Sequence, residues 1–571
     1  MPATGAMAAN STITGVINGA NSTFQTGDDI DGNATSNASV IIAAANNGTT
    51  LASIDSLQGI SFRTLANEAV NALLFNNVGT VGITGSQAVL TVNNGDIAST
   101  YAANSSVAAD GLTVNLRASQ ITGASDTLRF SVLGAGNPAT TGGFVTALTA
   151  GTGIEAILIA TAGTNSFTVT GGGAATDAAT LTITGAGANT VAFAGNGLAT
   201  TSNINASAAT GALVLNLGAS LTSNDTVTGG SSTSDVLRVQ TTGAQVGVNV
   251  SSFETLRVSE GSTGNVFFAT APNFSTIRVD SSALGVPSTT AATFNTIGAA
   301  STINYIGDSS SVAANTAAAG VFGALTLGSS YTGASDTVAI NINNGGVAKD
   351  AGIGFATGNL TANGIETVNY TVADVTATGQ TGVGVFSSNT LRSISFTTPG
   401  TLALLAAGIQ GGTTQGSATV SSISFAGVTG AVTQAGNQTV TLANGATITS
   451  GNGGTTLVFA PANTTAGDVY NYIGGTGADV VTLTSGATSQ AVMSGGNGAD
   501  NLTAGLGADI INGGAGNDTI TGAFGADTLT GGAGADDFIQ TLIFNTGTNV
   551  VNVDTITDFS VVGVDQVGNF G

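Results

Sequence analysis

The chain has 571 residues, 85 of them glycine, with 7% charged residues and no cysteine, histidine or tryptophan. Those absences exclude disulfide bracing, thiol or serine–histidine–aspartate catalysis, and histidine-ligated zinc. Thirty-one acidic against eight basic residues give a net charge of −23, which excludes the basic patches that nucleic-acid binding needs and suits divalent cations.

Apolar content is ordinary at 42%. Abundant Val, Ile, Leu and Thr between glycines predict an all-β chain of closely spaced strands with glycine turns. No uninterrupted apolar run reaches the roughly 18 residues that span a membrane. The first ten residues lack the basic start and apolar core of a signal peptide, so any export signal is expected elsewhere. Residues 27–33, GDDIDGN, place Asp28, Asp29 and Asp31 before a glycine. They resemble part of a calcium loop without its distal glutamate, and a solvated turn is the favoured reading.

Residues 51–77 carry the one helical pattern. Phe62, Leu65, Ala66, Ala69, Val70 and Leu73 fall on one stripe at i, i+3, i+4, i+7, i+8 and i+11. The spacing predicts a helix packed on its own domain, and residues 1–110 are expected to form an N-terminal region suited to anchoring the chain.

A longer repeat occupies 111–460. Gly/Ala-Leu, an alternating strand, a polar turn and Asp-Thr-Leu/Val recur around Asp126, Asp225 and Asp336. Glu155, Glu254 and Glu366 follow these aspartates at 29, 29 and 30 residues. The pattern predicts three or more β modules of about 100 residues stacked lengthwise. Arg129, Arg238, Arg257 and Arg278 each follow an apolar strand position and are expected to pair with acids on neighbouring coils.

The region 461–571 holds the densest pattern. GGTGADVVT begins at Gly474 and GGNGADNLT at Gly495; AGLGADIIN, GGAGNDTIT, GAFGADTLT and GGAGADDFI then run without a gap from 504 to 539. The template G-G-x-G-x-D-x-U-x makes a parallel β-roll of two nonapeptides per coil, with U pointing inward. Glycines let backbone carbonyls turn toward a site, and the aspartate supplies a hard anionic oxygen, so Ca²⁺ is the expected cofactor. Asp500, Asp518 and Asp536 should line one edge, and Asp509 and Asp527 the other. Asp479 lies 21 residues before Asp500 and so breaks the nine-residue register. The candidate metal-site residues are these six aspartates with Gly496, Gly498, Gly505, Gly507, Gly514, Gly516, Gly525, Gly532 and Gly534. The plainer alternative is a metal-free turn in which each aspartate accepts backbone hydrogen bonds.

These nonapeptides resemble the RTX, or haemolysin-type, calcium-binding repeat family. DTITDFSVVGVD (554–565) resembles the segment that follows such repeats. The resemblance implies a parallel β-roll, calcium, and type I export read from a C-terminal signal. The chain ends at Gly571, six residues after Asp565, where relatives usually continue, so that signal is expected to be short, absent or lost. The modules of 110–460 resemble, more loosely, those of type-I-secreted bacterial surface-layer (S-layer) proteins. The resulting expectation is a non-enzymatic, extracellular S-layer protein on a bacterial cell surface. It would associate with itself into a calcium-dependent lattice, with cell-surface polysaccharide as a further candidate partner. A secreted adhesin or biofilm-matrix protein is the runner-up, and an RTX-tailed hydrolase comes third.

Overall fold

The computed structural model describes residues 12–17, 29–31, 37–42, 53–73, 75–85, 88–104, 111–134, 146–170, 179–193, 202–280, 290–306, 320–321, 324–328, 331–333, 335–343, 354–356, 360–373, 380–383, 386–404, 409–411, 420–434, 442–459, 466–484, 486, 488–539, 553–559 and 565–568. The described residues form two units. One comprises 1–257 with 265–274, and the other 258–264 with 275–571. The expected boundaries near 110 and 460, and Asp28 of the early acidic cluster, lie outside the described residues. Asp29 and Asp31 sit in the strand Asp29–Asp31.

The first unit is a parallel β-solenoid. From Thr80 the chain alternates between two sheets, and the coils before it add a third of Asp29–Asp31, Ser53–Asp55 and Phe75–Asn76, so each strand stacks on the strand one coil earlier. In one sheet Gly59–Thr64, Thr80–Thr84, Thr100–Asn104, Thr127–Leu133, Ala156–Ala162 and Thr180–Gly185 pair in chain order. In the other, Glu68–Asn71, Val89–Gly95, Gly111–Leu116, Thr146–Ala150 and Thr164–Thr170 do the same. Every second side chain points inward, and Phe130, Ile159, Phe167 and Ile183 are almost wholly buried. A strand with its neighbours one coil away has its backbone groups satisfied by the stack, so short strands suffice.

That arrangement overturns the helix expected over 51–77. Among the described residues there is no helix; this stretch forms the strands Ser53–Asp55, Gly59–Thr64, Glu68–Asn71 and Phe75–Asn76. Phe62 and Val70 are buried, but Leu65 and Leu73 of the supposed stripe are 41% and 53% exposed. Glu68, which is not among the stripe residues, is buried. Ile60, Phe62 and Thr64 alternate inward with Ser61 and Arg63, and period two coincides with the helical period over so short a window. Parallel pairing of Gly59–Thr64 with strands on both sides decides the outcome.

The second unit has the same construction with changing coil size. Thr337 pairs with Thr367, thirty residues on, whereas Ile510 pairs with Thr528, eighteen on. Around 320–434 a coil contains three strands, as in Leu360–Ala362, Thr367–Val372 and Gln380–Val383. Tyr370, Phe396 and Phe425 stack through this core with ring centroids 5.1 and 5.2 Å apart.

The acids singled out in the modules all sit at one kind of place, directly before a strand. Asp126 donates its peptide N–H to Glu155 Oε2 (2.8 Å), and Asp336 donates to Glu366 Oε2 (2.8 Å). The spacing from Asp225 to Glu254 does not produce the equivalent pair. Glu254 Oε2 accepts from Asp235 (2.7 Å), while Asp225 accepts from the Ser202 and Thr222 peptides at 2.8 and 2.6 Å. Arg278 pairs with Asp280 on its own strand (3.0 Å), and Arg117 forms an inter-coil pair with Asp96 (3.6 Å). Arg129 reaches the carbonyl of Ile97.

Phe396→Ala is expected to lower stability by about 3–5 kcal/mol, because it empties the middle of the ring stack. Denaturant unfolding of the whole chain would measure this, and a loss below about 1 kcal/mol would contradict the stacked core.

Candidate metal centre

Each nonapeptide aspartate is the last residue before a short strand. Asp500 precedes Asn501–Thr503, Asp518 precedes Thr519–Thr521 and Asp536 precedes Asp537–Ile539. Asp509 and Asp527 precede Ile510–Ala515 and Thr528–Ala533 on the other sheet. The U side chains between them, Val481, Leu502, Ile511, Ile520, Leu529 and Phe538, are all at most 1% exposed. One inward side chain per half-coil thus forms the whole core of this segment.

The aspartates stack into two columns, as expected. Asp500 donates its N–H to Asp518 Oδ1 (2.8 Å), and Asp518 donates to Asp536 Oδ1 (2.9 Å). On the other edge Asp509 donates to Asp527 Oδ1 (2.8 Å). Asp479 joins the first column despite its 21-residue offset, donating to Asp500 Oδ1 at 2.8 Å. One carboxyl oxygen of each column member is therefore occupied by the preceding coil.

The second oxygen divides the six aspartates. Oδ2 of Asp500, Asp518, Asp527 and Asp536 is buried with no hydrogen-bond partner. In each case it packs against the first glycine of its turn, Gly495, Gly513, Gly522 or Gly531, where a Cβ would collide with it. Asp479 differs: its Oδ2 accepts from the Tyr472 hydroxyl (2.8 Å) and the Gly475 N–H (3.4 Å). Its Oδ1 accepts from Ser450 Oγ (3.1 Å) and the Thr455 N–H (2.7 Å). Asp509 Oδ2 accepts from the Gly505 N–H at 3.1 Å. That turn starts with Ala504 instead of glycine, and a methyl there cannot share space with a carboxyl packed as in the other four.

The glycines follow the same division. Gly496, Gly498, Gly514, Gly516, Gly525, Gly532 and Gly534 have φ between 95° and 154°, whereas Gly505 and Gly507 lie outside the left-handed region. At Gly516, with φ 139°, a Cβ would strike the Gly498 carbonyl one coil away, so close stacking itself demands glycine. In the 522–530 turn a non-glycine, Ala523, takes a left-handed φ of 68°.

Electrostatics make the open oxygens costly. The last basic residue is Arg392, and eleven aspartates follow it without one Lys or Arg. Burial, with the like charges of Asp479 and Asp518, pushes the Asp500 carboxyl up to about 6. Burial, with Asp554 beside it, pushes Asp527 up to about 6 as well. Asp518 and Asp536 are raised by the same cause, burial first and neighbouring aspartates next. Among the described residues no three acidic side chains converge on one point. A cation here would therefore be held by open carboxyl oxygens together with carbonyls of the glycine turns. Such all-oxygen ligation suits Ca²⁺.

Three further acids extend the columns beyond the nonapeptides. Asp527 donates its N–H to Asp554 Oδ1 (3.0 Å), and Asp536 donates to Asp565 Oδ1 (3.1 Å). Asp558 accepts from the Gly531 and Gly532 peptides. The string DTITDFSVVGVD (554–565) is the only sequence signal for these residues, because residues 540–550 break the nine-residue spacing.

Carboxyls raised in the fold bind protons more tightly there than in the unfolded chain. For the metal-free roll this stabilisation is complete below the ordinary value of 3.8 and is lost as pH rises through about 6. In chelator, strand signal from this segment, followed by circular dichroism, should increase as pH falls from 7.5 to 5. Calcium affinity should fall over the same interval. A metal-free roll that loses strand signal on acidification would contradict these environments.

Comparison with curated proteins and with solved structures finds no match. The family model of the RTX calcium-binding nonapeptide repeat matches residues 494–529 and 514–539, in four copies. The roll over these residues is thus built of RTX calcium-binding nonapeptide repeats, whose ligand is Ca²⁺.

Proposed function

We propose that the chain is a secreted, non-enzymatic structural protein that associates with copies of itself into a calcium-dependent surface layer on a bacterial cell. The observation that carries this reading is continuity of construction. The calcium-binding coils share their parallel stacking with the coils of both units, and their acid before a strand with several of them. They continue the solenoid of the second unit, which suits a protein whose product is its own assembled form. RTX repeats are typical of secreted extracellular proteins, and weak calcium sites are filled only where calcium is abundant.

In this reading calcium is held at the turns ending in Asp500, Asp518, Asp527 and Asp536, where Oδ2 is open. Bound calcium supplies the positive charge that the sequence lacks after Arg392. A coil with one inward side chain per half-turn buries little apolar surface, so metal binding is coupled to folding of the segment. Asp479 and Asp509 are column members whose second oxygen is served by the protein's own donors. Rigid, repetitive coils then present uncharged faces to neighbouring copies, and head-to-tail contacts propagate an open sheet. Residues 1–110 would anchor the layer, with surface polysaccharide as the partner.

Asp518→Asn is expected to lower calcium stoichiometry by at least one equivalent in a calorimetric titration, whereas Asp479→Asn should leave it unchanged. Equal losses would contradict the division between open and closed turns. For assembly, electron microscopy of purified protein should show ordered two-dimensional arrays in calcium that dissolve in chelator. Monomers under both conditions would sink the surface-layer reading. Glycan binding without self-assembly would replace it with an adhesin.

A further inference from the structure

We propose that the outward face of the sheet carrying Gln490–Asn497 and Ile510–Ala515 is a contact surface for the same face of a second copy of the chain. The inference rests on the self-association reading above and names one contact within it. Head-to-tail contacts extend a row in one direction, so an open sheet needs a contact of a second kind.

Three side chains form an apolar centre on this face. Ile473 and Ile510 are 48% and 43% exposed, although Tyr470, Tyr472 and Ile511 on the same strands are almost wholly buried. Val492 lies between them. It is the register partner of Ile510, and Ile473 stands two residues beyond its other partner, Asn471. Thr447, Thr449, Ser494, Asn512, Thr528 and Thr530 occupy the adjoining outward positions. An apolar centre inside a polar rim is how protein interfaces are built.

Charge selects a second copy as the occupant. The chain carries −23, and copies repel wherever their acids face one another. The five successive strands Leu442–Thr449, Val469–Ile473, Gln490–Asn497, Ile510–Ala515 and Thr528–Ala533 contain no charged residue. Between them Asp468, Asp479, Asp500, Asp509, Asp518 and Asp527 are all buried. The neighbouring sheet, by contrast, ends in the exposed Asp537. Threonine, serine and asparagine each donate and accept hydrogen bonds, so the rim is complementary to itself. Self-complementarity is what a two-fold contact between identical patches demands. Ile510–Ala515 and Thr528–Ala533 belong to the calcium-binding coils, so the face forms with those coils and ties association to calcium.

Sedimentation of the full chain in calcium tests the contact. The Ile473→Lys, Ile510→Lys double variant is expected to raise the concentration of half-association at least about tenfold, with the calcium count unchanged. Val480→Lys with Asn501→Lys adds the same charge to exposed positions of the other sheet and should associate like the unaltered chain. Ser494→Cys, close to isosteric and the only thiol in the chain, gives a second readout that holds even where the lysine variant misfolds. Its alkylation in calcium should slow as protein concentration rises. Equal association of the two lysine variants, or alkylation equally fast at every concentration, overturns the face. An unaltered chain that stays monomeric in calcium removes instead the self-association reading on which it rests.

Discussion

A buried carboxyl group at the entrance to a strand must find a partner for each of its oxygens, and the construction of this solenoid depends on how that demand is met. One oxygen is served by the coil before it, as in Asp126 to Glu155, Asp235 to Glu254 and Asp518 to Asp536. These bonds fix the register between coils, since a one-residue slip would break them and turn the inward side chains outward. The second oxygen is where the coils differ. In the wider coils a turn peptide reaches it: Gly123 for Asp126, Gly230 for Asp235 and Gly333 for Asp336.

The eighteen-residue coils leave no room for that solution at four turns. Their tight glycine corners press Oδ2 of Asp500, Asp518, Asp527 and Asp536 against a neighbouring Cα instead of a donor. A buried carboxylate oxygen without a donor costs at least about 1–3 kcal/mol, and the stacked like charges add to it. The apolar gain from one inward residue per strand is small beside several such costs. In the proposed reading calcium resolves the conflict by binding only the folded arrangement, so its binding free energy becomes folding free energy. The compact coil and the proposed metal requirement then have one cause.

Much of this was legible in the sequence, for local reasons. The nonapeptide carries its own register, so the inward series from Val481 to Phe538 and the two aspartate columns could be read by counting. Where partners come from other coils, counting fails. Tyr472, Ser450 and Thr455 close the Asp479 site from 7, 29 and 24 residues away, and nothing in GGTGADVVT announces them. Asp558 and Asp565 are displaced by the break after Ile539. The pairing of Glu254 with Asp235 instead of Asp225 shows that a constant spacing need not be a contact when coil lengths vary. The helix expected over 51–77 failed because neighbouring coils, invisible to a local pattern, impose period two on Ile60, Phe62 and Thr64.

The central claim is that calcium dependence is confined to turns whose aspartate has an open second oxygen, while the rest of the solenoid is closed by its own donors. Residue-resolved hydrogen exchange of the whole chain, compared in calcium and in chelator at neutral pH, tests it most directly. The amides of Asp500 and Asp518 and of the strands that follow them should lose protection in chelator. Those of Asp126, Asp235 and Asp336, each bonded to a carboxylate of the next coil or to its glutamate, should keep theirs. Protection lost along the entire chain, or lost nowhere, would contradict the account.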